Sequence, residues 1–345
     1  MKVGMFVTLE IEGHQDMGTH LREIREQVST ARDAGFDSLW LPQHFVTGPA
    51  MRQTASSPML GYLAHLGQGM RLGTAVLLLP MLNPVLLAEE AATLDHLADG
   101  GFVLGVGLGY RDSEFAALGI ERKSRVGRFR EYCQAIRLLW ENDHVTFHGK
   151  YVHLDDVSLA IRPKNPSKMP LWIGGTVEDA VKRAAELGDS WQGAGAMSMD
   201  EMQRWWGVFH QARVDYGKPL DYDRQVSREC FCGPSMQGAI DLARGPISAK
   251  YTRYAGHGFG GFGGDSDDGF RQFAQDRFVI GDEAYVRDEL QRYRDTLGAT
   301  EFRFRMAWPG LPQEEVVASI KRLGRIAATL YRTVPGARTP GTTPS

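Results

Sequence analysis

The chain is poor in cysteine, with three thiols in 345 residues, Cys133, Cys230 and Cys232. That is no disulfide framework for a protein of this length, so a reducing compartment, the cytoplasm, is the expected setting. Long apolar runs are missing too. The densest, residues 75–79, stops at Pro80, far short of the roughly 18 residues of a membrane span. Charge of one sign is not in excess: 39 Lys and Arg against 42 Asp and Glu leave a formal charge of −3. Nothing in that balance points to nucleic acid or an anionic membrane. The first residues read as a strand, without the cleavage pattern of a secretory signal. There is no P-loop, no His-Glu-x-x-His and no Gly-x-Ser-x-Gly, which removes the usual footholds for kinase and hydrolase chemistry. Cys230-x-Cys232 has no second pair and no nearby His cluster, so no metal site is expected.

What is present is an alternation of two periodicities. Val3, Met5 and Val7 belong to a short run apolar on both faces, as in a buried parallel strand. Leu21, Ile24, Val28 and Ala31 then recur at helical spacing, up to a stop at Ala34-Gly35. Further strands are predicted at 38–41, 71–79, 102–108, 171–173, 189–192, 225–232 and 302–306. Helices are predicted near 58–66, 84–98, 124–142, 176–187, 198–216, 286–297 and 314–331. Thr176-x-x-Asp179 and Ser198-x-x-Glu201 read as capping boxes opening two of them. Residues 144–168, centred on Phe147-His148-Gly149-Lys150-Tyr151, read as a hairpin inserted after the fourth helix. Residues 256–264 hold six glycines in nine positions, after strand seven, too flexible for regular structure. Eight strand–helix units without a linker predict a single α/β domain, a (β/α)8 TIM barrel over residues 1–332, ahead of a doubly wound sheet. The last stretch, 333–345, has three prolines and no apolar periodicity, and disorder is expected there.

In a barrel the chemistry lies at the C-terminal ends of the strands. Strand two ends in Leu41-Pro42-Gln43-His44-Phe45, which brings an imidazole to the mouth. It is either an acid–base group or a side chain capping a loop carbonyl. Strand four ends in Gly105-Val106-Gly107-Leu108-Gly109-Tyr110 and lacks the third glycine of a dinucleotide fingerprint. Its alternate glycines leave space for a flat ring or for close helix packing. Ile173-Gly174-Gly175-Thr176 offers backbone amides to an anion, or is an ordinary tight turn. The glycine-rich stretch carries His257, Phe259 and Phe262, which suit either a lid or a surface loop.

The segments 72–80, Asn83-Pro84, Leu94-Asp95-His96-Leu97 and 105–110 together resemble the bacterial-luciferase-like superfamily. The likeness continues through 115–128, 147–151 and Trp172-Ile173-Gly174-Gly175. It implies a barrel that holds a flavin or deazaflavin at the strand ends. His44 falls on the family's acid–base histidine, with Gln43 where many relatives carry an acid. A non-prolyl cis peptide falls at Ala75-Val76, and the cofactor phosphate at Gly174, Gly175 and Thr176. Thr8, Gly109 and Tyr110 complete the implied cofactor contacts. An arginine used for phosphate in the strand-four loop is Leu108 here. The deazaflavin-dependent sugar-phosphate dehydrogenases have Asp-His after strand two and a Glu after strand four, where this chain has Gln43-His44 and Tyr110.

The expectation drawn from the resemblance is a flavin-dependent monooxygenase. It would use FMN, reduced by a separate, transient flavin reductase, and oxygen to act on an apolar or cyclic organic substrate. Aromatic walls at Trp40, Phe45 and Trp308 favour that substrate class, with His257, Phe259 and Phe262 as lid residues. The alternatives are hydride transfer with the deazaflavin coenzyme F420, and a non-catalytic flavin-binding subunit. A homo-oligomer, dimer or tetramer, is the expected assembly, with no nucleic-acid or membrane partner.

Overall fold

The computed structural model describes residues 1–48, 51–255 and 267–332. The glycine-rich stretch with His257, Phe259 and Phe262, and the tail 333–345, lie outside the described residues. Eight strands follow the predicted order: Lys2–Phe6, Ser38–Leu41, Arg71–Thr74 (extended by Leu77–Leu78), Phe102–Gly107, Leu171–Gly174, Ser190–Gln192, Gln225–Cys232 and Glu301–Arg305. They are called strands one to eight below.

All their pairings are parallel, and the ladder runs six, five, four, three, two, one, eight, seven. Strands six and seven close on each other through side chains instead. Ser190 Oγ donates to the Asp223 carbonyl at 2.6 Å, and Gln225 Nε2 to the Trp191 carbonyl at 3.4 Å. The sheet is therefore barrel-like, of the TIM-barrel type, with an open ladder at one seam. A further strand, Val279–Gly281, pairs with the end of strand seven.

That strand and the helices Met236–Ala255 and Asp267–Ala274 were not foreseen. Pro246 inside the first helix interrupts the helical signal, because proline removes a donor and crowds the preceding turn. The 145–157 region is an antiparallel hairpin, Val145–His148 with His153–Val157. A second small pair, Glu10–Ile11 with Arg52–Gln53, ties together the loops after strands one and two. Among the described residues no helix is long and apolar enough to cross a membrane.

The N-terminal end of the barrel is plugged by polar and aromatic side chains. Ser38 donates to Glu301 at 2.7 Å, the Trp40 indole N–H to Ser38 at 2.8 Å, and Arg71 pairs with Glu301 at 3.2 Å. Trp40 stacks on Trp172 with ring centres 5.2 Å apart, and the Arg303 guanidinium lies 4.6 Å over Trp40. Arg303 donates to Gln192 and Gln225, and burial pushes its pKa down to about 9. Gly4 and Gly73 are glycine for want of room, since a Cβ at either would strike Trp40. Trp40 is thus fully buried inside the barrel, which corrects its expected place on a substrate wall. Space for a ligand is left at the other end.

Candidate active site

At the end of strand two, neighbouring side chains do different work. Gln43 is buried, and its Oε1 accepts the Leu78 amide at 2.9 Å, fastening strand two to the extension of strand three. His44 reaches instead to the far side of strand four. Its Nδ1 lies 3.0 Å from Glu114 Oε1, and the same oxygen accepts the Phe45 amide at 2.9 Å. Glu114 is 1% exposed, on the short helix Asp112–Ala117, and its other oxygen is buried without a partner. The histidine is not capping a loop carbonyl. A carboxylate on Nδ1 orients the ring and leaves Nε2 as the nitrogen that can face another partner.

The ring of Tyr110 meets His44 edge-on at 6.0 Å, and Arg111 lies 5.7 Å over Tyr110. Burial raises the Tyr110 hydroxyl above its ordinary pKa, against the pull of Arg111, so the phenol remains a neutral donor near pH 7. Arg111 Nε is buried and has no hydrogen-bond partner. Neither Glu114 nor Arg111 was singled out from sequence. Gln43 offers His44 no carboxylate, and the carboxylate comes instead from 70 residues away. The one available signal was an acidic residue, Glu114, directly before the apolar Phe115 in a segment opening a helix.

The peptide between Ala75 and Val76 is cis, and it interrupts strand three as the resemblance implies. Glycines make way for it. A Cβ on Gly107 would sit 2.7 Å from Val76 Cγ2, and one on Gly174 would sit 3.1 Å from Val76 Cγ1. A Cβ on Gly105 would strike the Thr74 carbonyl. The alternate glycines Gly105 and Gly107 of strand four thus make room for Thr74 and Val76 inside the barrel. Gly109 adopts a left-handed φ of 76° that turns the chain towards Tyr110. Thr8 spends its hydroxyl on the Ala307 carbonyl at 2.6 Å, joining the ends of strands one and eight.

Strand five ends differently from expectation. Its helix begins at Glu178, with Val177 at the cap and no side-chain cap bond, so the Thr176–Asp179 capping box does not form. The Gly175 amide donates to the Gln192 carbonyl at 3.3 Å, and the Gly175 carbonyl accepts the Trp191 indole at 2.8 Å. Glu178 and Asp179 fill the first helical turn. The amide of Gly175 is already used within the barrel, and an acidic first turn repels anions. Gly174, Gly175 and the exposed Thr176 form a tight turn with that character.

Across the mouth, strands one, seven and eight carry a buried ionic cluster. Glu229 accepts from Lys250, from Tyr251 at 3.0 Å and from the Trp308 indole at 2.6 Å. Arg305 lies 3.8 Å from Glu10 and 3.9 Å from Glu229. Trp308 is buried in this cluster, which corrects its expected place as a pocket wall. Phe45, by contrast, lines a cavity of about 620 Å³ with His44, Leu60, Leu77, Leu82 and Leu87. That cavity lies on the strand-two side, and Thr8, Gly109, Gly174 and Trp308 are not in its lining.

The barrel, its interrupted third strand and the histidine at the mouth define a class of oxidoreductase scaffold, and the chain belongs to the luciferase-like monooxygenase family, whose family model matches residues 1–300. It is 33% identical over 177 residues to an F420-dependent glucose-6-phosphate dehydrogenase of Kineococcus radiotolerans, covering 49% of this chain and 51% of that protein. It is 30% identical over 237 residues to the 4-hydroxyprotoasukamycin monooxygenase of Streptomyces nodosus subsp. asukaensis, covering 66% of this chain and 63% of that one. The chain thus spans about half to two thirds of the length of these relatives. Among solved structures it resembles the oxygenating constituent of 3,6-diketocamphane monooxygenase from Pseudomonas putida, solved with FMN. The TM-score is 0.79 at 18% identity, covering 95% of this chain and 98% of that one. These homologues and neighbours are oxidoreductases and monooxygenases, one of them F420-dependent and one solved with FMN.

Proposed function

We propose that the chain is a flavin-dependent monooxygenase that takes reduced FMN from a separate reductase and oxygenates an apolar or cyclic organic substrate. The observation that carries this reading is His44, held by buried Glu114, bordering a cavity whose lining joins apolar side chains, among them Phe45, Leu60, Leu77, Leu82 and Leu87, to polar ones such as Gln43, Arg52 and Gln53. A planar, hydrogen-bonding group fits this end of the barrel, because Arg111 Nε and Glu114 Oε2 are buried there without partners. Bound there, reduced FMN would supply the electrons that activate oxygen. The protein's part is to bind, orient, exclude water and move one proton. His44 Nε2 is the proton-exchanging atom, and Glu114 stabilises the imidazolium that forms. Arg111 would hold the phosphate in place of the arginine missing at Leu108. A separate reductase is in keeping with strand four, whose glycines lie against Thr74 and Val76 and lack a dinucleotide fingerprint.

The monooxygenase relative matches two thirds of this chain, against half for the F420-dependent dehydrogenase. The dehydrogenase is the more identical of the two over its shorter match, and this favours hydride transfer with a deazaflavin as the second reading. Stopped-flow mixing separates them. Protein loaded anaerobically with reduced FMN is mixed with oxygenated buffer, and reoxidation slower than that of free flavin is expected. Reoxidation at the free-solution rate, with tight deazaflavin binding, would replace the monooxygenase by the hydride-transfer enzyme.

A further inference from the structure

The hairpin behind the helix Arg125–Glu141 carries chemistry that the barrel mouth does not use. His148 and His153 lie directly opposite each other across its two strands. Their rings are parallel, with centres 4.2 Å apart and planes 7° apart. Both turn Nε2 towards one carboxylate: Asp155 Oδ1 is 2.7 Å from His148, and Asp155 Oδ2 is 3.5 Å from His153. Asp155 follows His153 by two residues, so period-two alternation sets both on one face of the strand. One ligand atom from each of the three lies within 4.8 Å of the others. Donor atoms 2.0–2.1 Å from a tetrahedral zinc stand about 3.3 Å apart, so small side-chain rotations would enclose an ion.

The turn between the two histidines is fixed from below. The Glu131 carboxylate accepts the backbone amides of Lys150, Tyr151 and Val152 at 3.0, 2.6 and 3.1 Å. Gly149 is required for that approach, because a Cβ there would strike the same carboxylate. The histidines are thus held in register by a turn anchored on a barrel helix, so little ordering is left for a ligand to impose.

We infer that His148, His153 and Asp155 form a surface site for one divalent ion of the zinc class, bound by two imidazole nitrogens and a carboxylate. Three protein ligands leave a coordination position for water or an incoming group. The neighbouring His144 and Asp156, 2.8 Å apart, are a separate hydrogen-bonded pair and serve as a control on the same hairpin.

The test uses the full chain, stripped of metal and titrated calorimetrically with zinc chloride alone. One saturable equivalent is expected. His148→Ala and His153→Ala should each weaken it by more than roughly tenfold, and Asp155→Asn should weaken it too. His144→Ala should leave it unchanged. All three ligand side chains are more than half exposed, so these variants keep the fold, as circular dichroism would verify. Cobalt as a second probe should give the visible absorption of a low-coordinate site in the wild type and lose it in H148A. No saturable zinc binding, or equal binding by wild type, H148A and H153A, overturns the site.

Discussion

His44 takes its orientation from a residue 70 positions away. With Nδ1 on a buried carboxylate, the ring keeps one orientation and one working nitrogen. His44→Ala should lower turnover by roughly 10²–10⁴ while cofactor affinity stays nearly unchanged; unaltered turnover would leave the histidine a structural role. Glu114→Gln keeps an acceptor for the Phe45 amide but removes the charge. It should cost about 10- to 100-fold in kcat with little change in KM, and a matching rise in KM would assign Glu114 to substrate binding instead. Arg111→Gln should weaken FMN binding more than riboflavin binding, since only FMN carries a phosphate; equal losses would remove Arg111 from that role. The histidine was legible because it ends a strand pattern. Its carboxylate was not, because nothing local marks which distant acid will fold against it. Trp40 and Trp308 were misread for a related reason: an aromatic residue at a strand end has the same signature whether it faces a ligand or a buried polar partner.

Two segments with the same capping signature behave differently as elements. Ser198 and Glu201 form the reciprocal box, Ser198 Oγ accepting the Glu201 amide at 3.2 Å and Glu201 accepting the Ser198 amide at 2.8 Å. Thr176 and Asp179 do not, because the preceding turn is held at both ends of Gly175 by Gln192 and Trp191. Tertiary bonds decide what the local code offers. Ser198→Ala should therefore cost about 1 kcal/mol in urea unfolding, and Thr176→Ala should fall within a few tenths of zero; comparable losses would mean that the second cap also forms. Gly175→Val meets the Ala180 backbone at 3.1 Å. It should destabilise the protein without ligand and weaken FMN and riboflavin alike; a loss confined to FMN would assign the phosphate to this turn. Helix and strand order was otherwise readable from periodicity. The exception is the region after strand seven, where Pro246 and several glycines mask a helix.

At the scale of the whole molecule, the barrel is held at its mouth by charge as well as by apolar packing. Glu10, Glu229 and Arg305 come from strands and Lys250 from the helix Met236–Ala255, all far apart in sequence except Glu229 and Lys250, so no motif announces them. Burial by itself would raise the Glu229 carboxyl, but Lys250, then Arg305, and the bonds from Lys250 and Trp308 outweigh it and hold it below the ordinary 4.5. Burial and the Arg305 charge push Lys250 down to about 8 against the attraction of Glu229, which still leaves the pair ionised at neutral pH. A carboxyl with a lowered folded-state pKa binds fewer protons in the native than in the unfolded state. Its contribution is therefore complete above the unfolded value and is lost as pH falls through the folded one. Glu229→Gln removes the carboxylate that Lys250 pairs with, while Glu10 stays 3.8 Å from Arg305, and should cost about 3–5 kcal/mol near neutrality. Urea unfolding of wild type and E229Q from neutral to acid pH should show the gap constant above 4.5 and narrowing below it. A second change, Lys250→Met in the E229Q background, should recover part of the loss by removing a buried charge that Glu229 no longer offsets. A gap that ignores pH, or no recovery in the double variant, would mean that Glu229 supports the mouth through shape and not through charge.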